Sequence, residues 1–411
     1  MKKILIVGIN NVTLKYISKA LKMGEVEPIL SLDYLALSDS SKSCIAGIKC
    51  IPFFGDQKTL SGYLQSHEEV AKEIGSITTF FDELFPMISE VALEFGYNSA
   101  PSIYAKLASK SFVGSLIPEH VPFESRIVLS DDQITIPWIE KDKINDVMIK
   151  PEIGSGALAT TRVSIYPGES TVEVISSAIL NCDIESPLKT PWIVQKYCEG
   201  ELLSLEGFVE HGEINFLGLS KRTRVGLTEA SNAFPANSKV DISIRRKMTK
   251  AVNDLVIRSG FDNGFFHCEF IATNSTAYLI DANMGRLGGA SVIEQISLAH
   301  NLEPEKLLLH ASLLPLGMIN KHLEYEEIDK CNDTLAYWYC IDEEAKILGW
   351  NMPSLSAKHT SMAKIGSIVA PIGISDHSWV GILCGYEEVV KEEISKITIN
   401  TDKGQKSPVF T

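Results

Sequence analysis

Two acidic side chains in an apolar setting are the first sign of chemistry in this chain. Phe265-Phe266-His267-Cys268-Glu269-Phe270-Ile271 and Tyr278-Leu279-Ile280-Asp281-Ala282-Asn283-Met284-Gly285-Arg286 both read as β-strands. Side chains alternate between faces with a period of two, so Glu269 shares a face with His267, and Asp281 with Asn283. The turn formers from Ala272 to Ala277 should close a hairpin. With the turn centred near Ser275, Glu269 lies opposite Asp281 and His267 opposite Asn283. Two carboxylates about 4 Å apart repel by roughly 4 kcal/mol at a partly screened effective dielectric, and opposed like charges weaken a strand pair. Something positive should therefore sit between them. Oxygen donors suit a hard cation, and Mg²⁺ held by few protein ligands completes its shell with water and nucleotide phosphates. Isolated acids on strands are usually solvated, but these two interrupt strands that otherwise read as buried.

Groups suited to a nucleotide lie upstream. Met148-Ile149-Lys150-Pro151 ends a strand on a lysine, and the turn Gly154-Ser155-Gly156-Ala157 follows. Glycines let backbone N–H groups close around phosphate oxygens, and an ammonium adds a point charge. A Gly-Ser-Gly turn alone is more often only a turn; the buried-looking lysine before it favours the functional reading. Trp192 to Gly200 reads as a strand entering a loop, in which Gln195 and the backbone of Lys196, Tyr197 and Cys198 could serve a purine. Leu203 to Val209 and Ile214 to Leu219 form a hairpin with His211 at its exposed tip. Lys221 comes at the end of that pair, where contact with ATP phosphates and a solvated loop shared with Arg222 and Arg224 are equally good readings.

These groups need a scaffold, and the chain is long enough to build one. Its 411 residues, 45% hydrophobic and 22% charged, suit a globular protein of two to four domains. A net charge of −14 with no basic stripe argues against nucleic acid as a partner. Ile4-Leu5-Ile6-Val7 is too short for a signal peptide and reads as a first strand; no apolar run reaches membrane-spanning length. The eight cysteines lack C-x-x-C spacing and read as reduced thiols of a cytoplasmic protein. Residues 4 to 8, a helix carrying Leu14, Ile17, Ala20 and Leu21, and a strand near Pro28 to Leu32 begin a βαβ unit without the G-x-G-x-x-G fingerprint of a dinucleotide site. Short strands (Cys50 to Phe54, Ile77 to Phe80) and helices (Leu60 to Ile74, Glu83 to Phe95) complete this α/β region. Tyr104 to Leu116 reads as one helix, and from Val147 the pattern is a small α+β lobe. A helix from Arg245 to Ser259 stops at Gly260. The last hundred residues mix strands with a charged helix, Glu387 to Lys396, and Trp338, Trp350 and Trp379 there should fill core. No G-x-S-x-G, H-E-x-x-H or G-x-x-x-x-G-K-[ST] motif occurs.

Taken in order over roughly residues 104 to 290, these elements resemble the ATP-grasp superfamily and its carboxylate-amine ligases, most of all the L-amino-acid (dipeptide) ligases. The resemblance rests on Ala108-Ser109-Lys110-Ser111, Ile149-Lys150-Pro151 with its glycine loop, Val194-Gln195-Lys196-Tyr197, the His267-Cys268-Glu269 to Asp281-Ala282-Asn283 hairpin, and Arg286-Leu287-Gly288-Gly289. It implies α/β and α+β architecture in three parts: a Rossmann-like α/β domain (1–100), an ATP-grasp core (101–315) with a small lid lobe at about 130–197, and a C-terminal α+β domain (316–411). It further implies that Lys110 and Lys150, with the loop of Gly154, Ser155 and Gly156, hold ATP phosphates, that Gln195 and the backbone of Lys196, Tyr197 and Cys198 hold adenine, and that Glu269, Asp281 and Asn283 ligate two Mg²⁺ ions, for which Mn²⁺ can substitute. Arg286 and the glycines that follow it, Gly289 among them, would face the transferred phosphoryl group. His267, on the same face as Glu269, could orient the acyl substrate, and a satisfied structural histidine is at least as good a reading. The implied reaction joins a small-molecule carboxylate to an amine through an acyl phosphate, releasing ADP, in an enzyme for which a homodimer would be unsurprising. Three positions depart from the family pattern: Gln195 and Asp281 stand where it has glutamates, and Leu202 stands where it has a ribose-binding glutamate. Glu201 and Glu206 are the candidates to replace the last.

Overall fold

The structure, a computed structural model, describes all residues except 1, 10, 38, 132–133, 155–158, 183, 185, 227, 290, 320 and 375–377. Its backbone is an eight-stranded antiparallel sheet in the order Ala277–Met284, Gly264–Ala272, Glu201–Glu210, Glu213–Val225, Thr228–Phe234, Thr334–Tyr339, Gly381–Tyr386, Lys358–Ser361. The C-terminal strands thus extend the same sheet that carries the Glu269 hairpin. One face of this sheet is apolar: Leu203, Leu205, Cys268, Phe270 and Met284 pack with Met248, Val252 and Leu255. Those last three lie on the helix Ile242–Ser259, which Asp241 caps by accepting from the Ser243 amide at 2.7 Å and Gly260 ends at φ 69°.

The N-terminal strands Lys3–Val7, Pro28–Ser31, Lys49–Ile51 and Ile74–Thr79 form a parallel sheet, with Lys3–Val7 flanked by Pro28–Ser31 and Ile74–Thr79. Its apolar residues run into the same cores as the large sheet, so Leu5, Ile77 and Phe85 share a cluster with Phe266. The segment expected as one helix from Tyr104 to Leu116 is two, Ile103–Leu107 and Lys110–Leu116. Ser109 breaks it in extended conformation and caps the second helix, its hydroxyl accepting from the Phe112 amide. The break puts Lys110 at a helix start.

A separate four-stranded antiparallel sheet, Glu124–Val128, Pro191–Lys196, Asn145–Pro151, Thr161–Ile165, carries Lys150 and Gln195. It has its own core, in which Trp192 is fully buried among Val147, Ile149, Ile175 and Ile179 of the strands and the helix Thr171–Leu180. In the C-terminal part Trp338 is buried and stacks on Trp379 at 6.0 Å, while Trp350 is half-exposed at the edge of its core. Because the lobe's core is its own, Trp192→Ala should destabilise it by about 3–5 kcal/mol. Hydrogen exchange should then accelerate across residues 124–196 while the large sheet keeps its protection.

Candidate active site

The polar face of the large sheet is graded along the Gly264–Ala272 strand. Phe265 stacks against Phe208 among Val292, Ile293 and Ile296; His267 follows, then Glu269 nearer the open end. Across the hairpin His267 stands opposite Asn283 and Glu269 opposite Asp281, the register expected from a turn near Ser275, with a bulge after Glu269. On the other side the Glu201–Glu210 strand sets Glu206 opposite His267 and Ser204 opposite Glu269. Five charged or amide groups are thereby forced onto one surface.

Each acid on that surface is held by a cation. Arg222 donates to Glu269 and, through two nitrogens, to Glu229. His267 lies 3.0 Å from Glu269 through Nε2 and 2.7 Å from the fully buried Glu206 through Nδ1. The Lys110 ammonium is 3.3 Å from Asp281. Arg286 donates to the Asn283 amide oxygen at 2.6 Å and to Asp82, which follows the Ile74–Thr79 strand of the N-terminal sheet. Burial opposes charge on Glu269, yet Arg222 and His267 hold its carboxyl well below the usual range. Burial likewise disfavours the imidazolium of His267, but Glu206 and Glu269 outweigh it and raise the group to about 9.

The lid lobe forms the facing wall. Lys150 donates to the Ile280 carbonyl at 2.6 Å and the Gln195 amide oxygen at 3.2 Å; burial, with Lys110 nearby, lowers its ammonium to about 8 against the pull of Asp281. Lys110 donates to the Gly154 carbonyl at 2.8 Å, and its own amide donates to the Glu152 carbonyl at 3.2 Å. Lys110, Glu124, Lys150, Gln195 and Asp281 line one cleft between the lobe and the hairpin.

Several expected residues are placed otherwise. Lys221 lies inside a strand that continues to Val225, on the face opposite Arg222, and pairs with Glu201 at 2.6 Å. The apolar-to-charged switch after Leu219 had suggested that the strand ended there, whereas strand pairing on both sides carries it on. His267 has both ring nitrogens engaged by carboxylates, Glu206 and Glu269, as a satisfied structural histidine does. Glu206 Oε1 accepts from Ser204 and lies against His267, and the exposed Glu201 pairs with Lys221. The Lys196 and Tyr197 amides donate to Phe123 and Asp146 carbonyls, and the Tyr197 ring lies 3.7 Å beneath the Arg162 guanidinium. Cys198 is half-buried in the loop after the strand, and Gly289 is exposed beyond Arg286. Ser155 and Gly156 lie outside the described residues. Sequence reasoning missed Arg222, Asp82 and Glu124; Glu206 carried the same signal as Glu269, an acid inside an apolar strand, and was weighed only for ribose.

The donor set of Glu269, Asp281 and Asn283 is all oxygen and lies on adjacent strands, which suits a hard divalent cation. No protein-family model matches the chain. An ATP-grasp enzyme, fsqD, of Aspergillus fumigatus (strain ATCC MYA-4609 / CBS 101355 / FGSC A1100 / Af293) is 22% identical over 273 residues, which span 63% of this chain and 45% of that protein. The match therefore covers less than half of that relative's length. Among solved structures, the L-amino acid ligase from Bacillus licheniformis aligns with a TM-score of 0.72 at 15% identity over 97% of this chain and 98% of its own. Phosphoribosylglycinamide synthetase from Anaerococcus prevotii aligns at 0.66 and 14%, covering 97% and 99%. A biotin carboxylase from Campylobacter jejuni, in complex with β,γ-ATP, aligns at 0.67 and 13%, covering 97% and 92%. The fold is the ATP-grasp fold. Among the described residues no helix is long and apolar enough to cross a membrane.

The raised imidazole makes a prediction for the chelator-treated protein. The folded value of about 9 lies above an unfolded value of about 6.5, so the stabilisation is complete below about pH 6.5 and lost as pH rises through 9. Its size is on the order of 3 kcal/mol. Denaturant titrations of the wild type should lose stability across that window, and His267→Gln should flatten the slope.

Proposed function

We propose that this protein is an ATP-dependent ligase of the cytoplasm that joins a small carboxylate, an amino acid, to an amine, releasing ADP and phosphate. The observation that carries the reading is the convergence on one cleft of Lys110, Lys150 and Gln195 from the nucleotide side with Asp281 from the hairpin, beside Glu269, Asn283 and Arg286. Supporting the amino-acid branch is the higher TM-score of the Bacillus licheniformis ligase, 0.72, against 0.66 for phosphoribosylglycinamide synthetase and 0.67 for biotin carboxylase.

In this reading the two lysines neutralise ATP phosphates and Gln195 meets the adenine edge, with the backbone of the loop that begins at Tyr197 and Cys198 beside it. Glu269, Asp281 and Asn283 would hold two Mg²⁺ ions, which when bound would neutralise charge on the transferring phosphoryl oxygens. Arg286, held by Asp82 and Asn283, aims a guanidinium at the reacting end, where charge spreads as the phosphoryl moves to the substrate carboxylate. The acyl phosphate so formed is attacked by the amine; the C–N bond forms as phosphate leaves, and the amine gives up its proton. The lid lobe excludes water, since a wet acyl phosphate hydrolyses. Arg222 and His267 set the direction of Glu269, which makes them positioning residues.

The test is ADP release with ATP and Mg²⁺ against a pooled amino-acid library, with mass detection of the product. Release that requires two amino acids and yields their dipeptide mass supports the reading; no release with any pair sinks it. ADP release driven instead by bicarbonate or by an aminoribosyl phosphate would assign another ATP-grasp branch, a reading that the likeness to biotin carboxylase and phosphoribosylglycinamide synthetase keeps in play. Glu269→Gln should lower turnover about a thousandfold or more while thermal unfolding stays cooperative. Loss of the cooperative melt would instead give Glu269 a structural role.

A further inference from the structure

Gln195, the amide assigned to the purine edge, has a carboxylate directly beside it. Glu124 stands directly opposite Gln195 on the neighbouring strand of the lid sheet and accepts from Gln195 Nε2 at 2.9 Å. Lys150 donates to the other end of the same amide, Oε1, at 3.2 Å. An ammonium can only donate and a carboxylate only accept, so this pair fixes which way the amide points. Gln195 is 4% exposed, and all three side chains line the cleft.

The packing around Glu124 is also specific. Gly114 lies inside the helix Lys110–Leu116. A β-carbon there would overlap Glu124 Oε1.

We infer that Glu124 is a specificity-determining residue for the nucleobase: it locks the Gln195 amide with its oxygen toward the cleft and adds its own carboxylate, so that the site selects a purine with a 6-amino group and rejects one with a 6-oxo group. This inference rests on the nucleotide reading above. The 6-amino group of adenine donates, and Gln195 Oε1 and the Glu124 carboxylate both accept. The 6-oxo group of guanine would face two acceptors and leave its own oxygen unpaired. Lys150 at Oε1 and Glu124 at Nε2 together keep the amide from turning its NH₂ toward a 6-oxo group, and Glu124 alone supplies the second acceptor.

Calorimetry of ATP and GTP binding to the full chain tests it. The wild type should prefer ATP, and Glu124→Ala should lower the ATP to GTP affinity ratio by about tenfold or more. Gln195→Glu alone sets two carboxylates face to face and should weaken ATP binding. The exchanged pair Glu124→Gln with Gln195→Glu returns a single carboxylate and should recover the ATP preference. An unchanged ratio in Glu124→Ala, or an equal loss for both nucleotides, overturns the inference and leaves the nucleotide reading standing. If Glu124→Ala does not fold, the exchanged pair decides: its failure to discriminate overturns the inference. A wild type that binds no ATP overturns both.

Discussion

The constraint on which the site depends is like-charge opposition within a hairpin. Register sets Glu269 against Asp281, and at about 4 Å two such charges repel by roughly 4 kcal/mol at an effective dielectric near 20. A hairpin in this position holds only if compensating charge is supplied from elsewhere in the fold. Arg222 comes from a strand two places away in the sheet, and Lys110 comes from the start of a short helix. His267, within the same strand as Glu269, is kept cationic by the buried Glu206. The electrostatic demand of two residues thus organises groups from four separate segments.

The same demand ties the N-terminal sheet to the site. Arg286 follows the hairpin, and its guanidinium is shared between Asn283 on one side and Asp82 on the other. Asp82 is 6% exposed, so the ion pair is largely desolvated, and removing one partner would strand the other's charge at a cost of several kcal/mol. The position of Arg286 is therefore set jointly by the hairpin and by a loop some two hundred residues earlier. On the lid side Lys150 bridges to the hairpin through the Ile280 carbonyl, linking a lobe with its own core to the large sheet.

The sequence alone was enough to read the hairpin, because its information is local: a turn of fixed length and a period of two set which residues oppose each other. The same holds for the Lys150 strand and for the end of the helix Ile242–Ser259, which Gly260 marks; the expected start of that helix, Arg245, lies three residues past Ile242, where Asp241 caps it. Lys221 and Arg222 are the counterexample. Adjacent residues in a strand point to opposite faces, and composition does not say whether the strand has ended; pairing with Glu201–Glu210 and Thr228–Phe234 decides that it has not. The break at Ser109 was equally hidden, since Tyr104, Leu107, Val113 and Leu116 keep near-helical spacing across it.

What the sequence by itself determined was the order of ATP-grasp elements and the chemistry of their side chains: oxygen donors on a hairpin, lysines on a strand and a helix, an amide on the strand beside them. Only the tertiary structure decided the partners of those groups: Asp82 for Arg286, Arg222 and His267 for Glu269, Glu206 for His267, Glu124 for Gln195. The physical reason is that donor type is a property of a residue, whereas charge compensation in a buried site is a property of whatever the fold brings within about 3 Å. Those partners come from segments far apart in the chain, and no local periodicity records them.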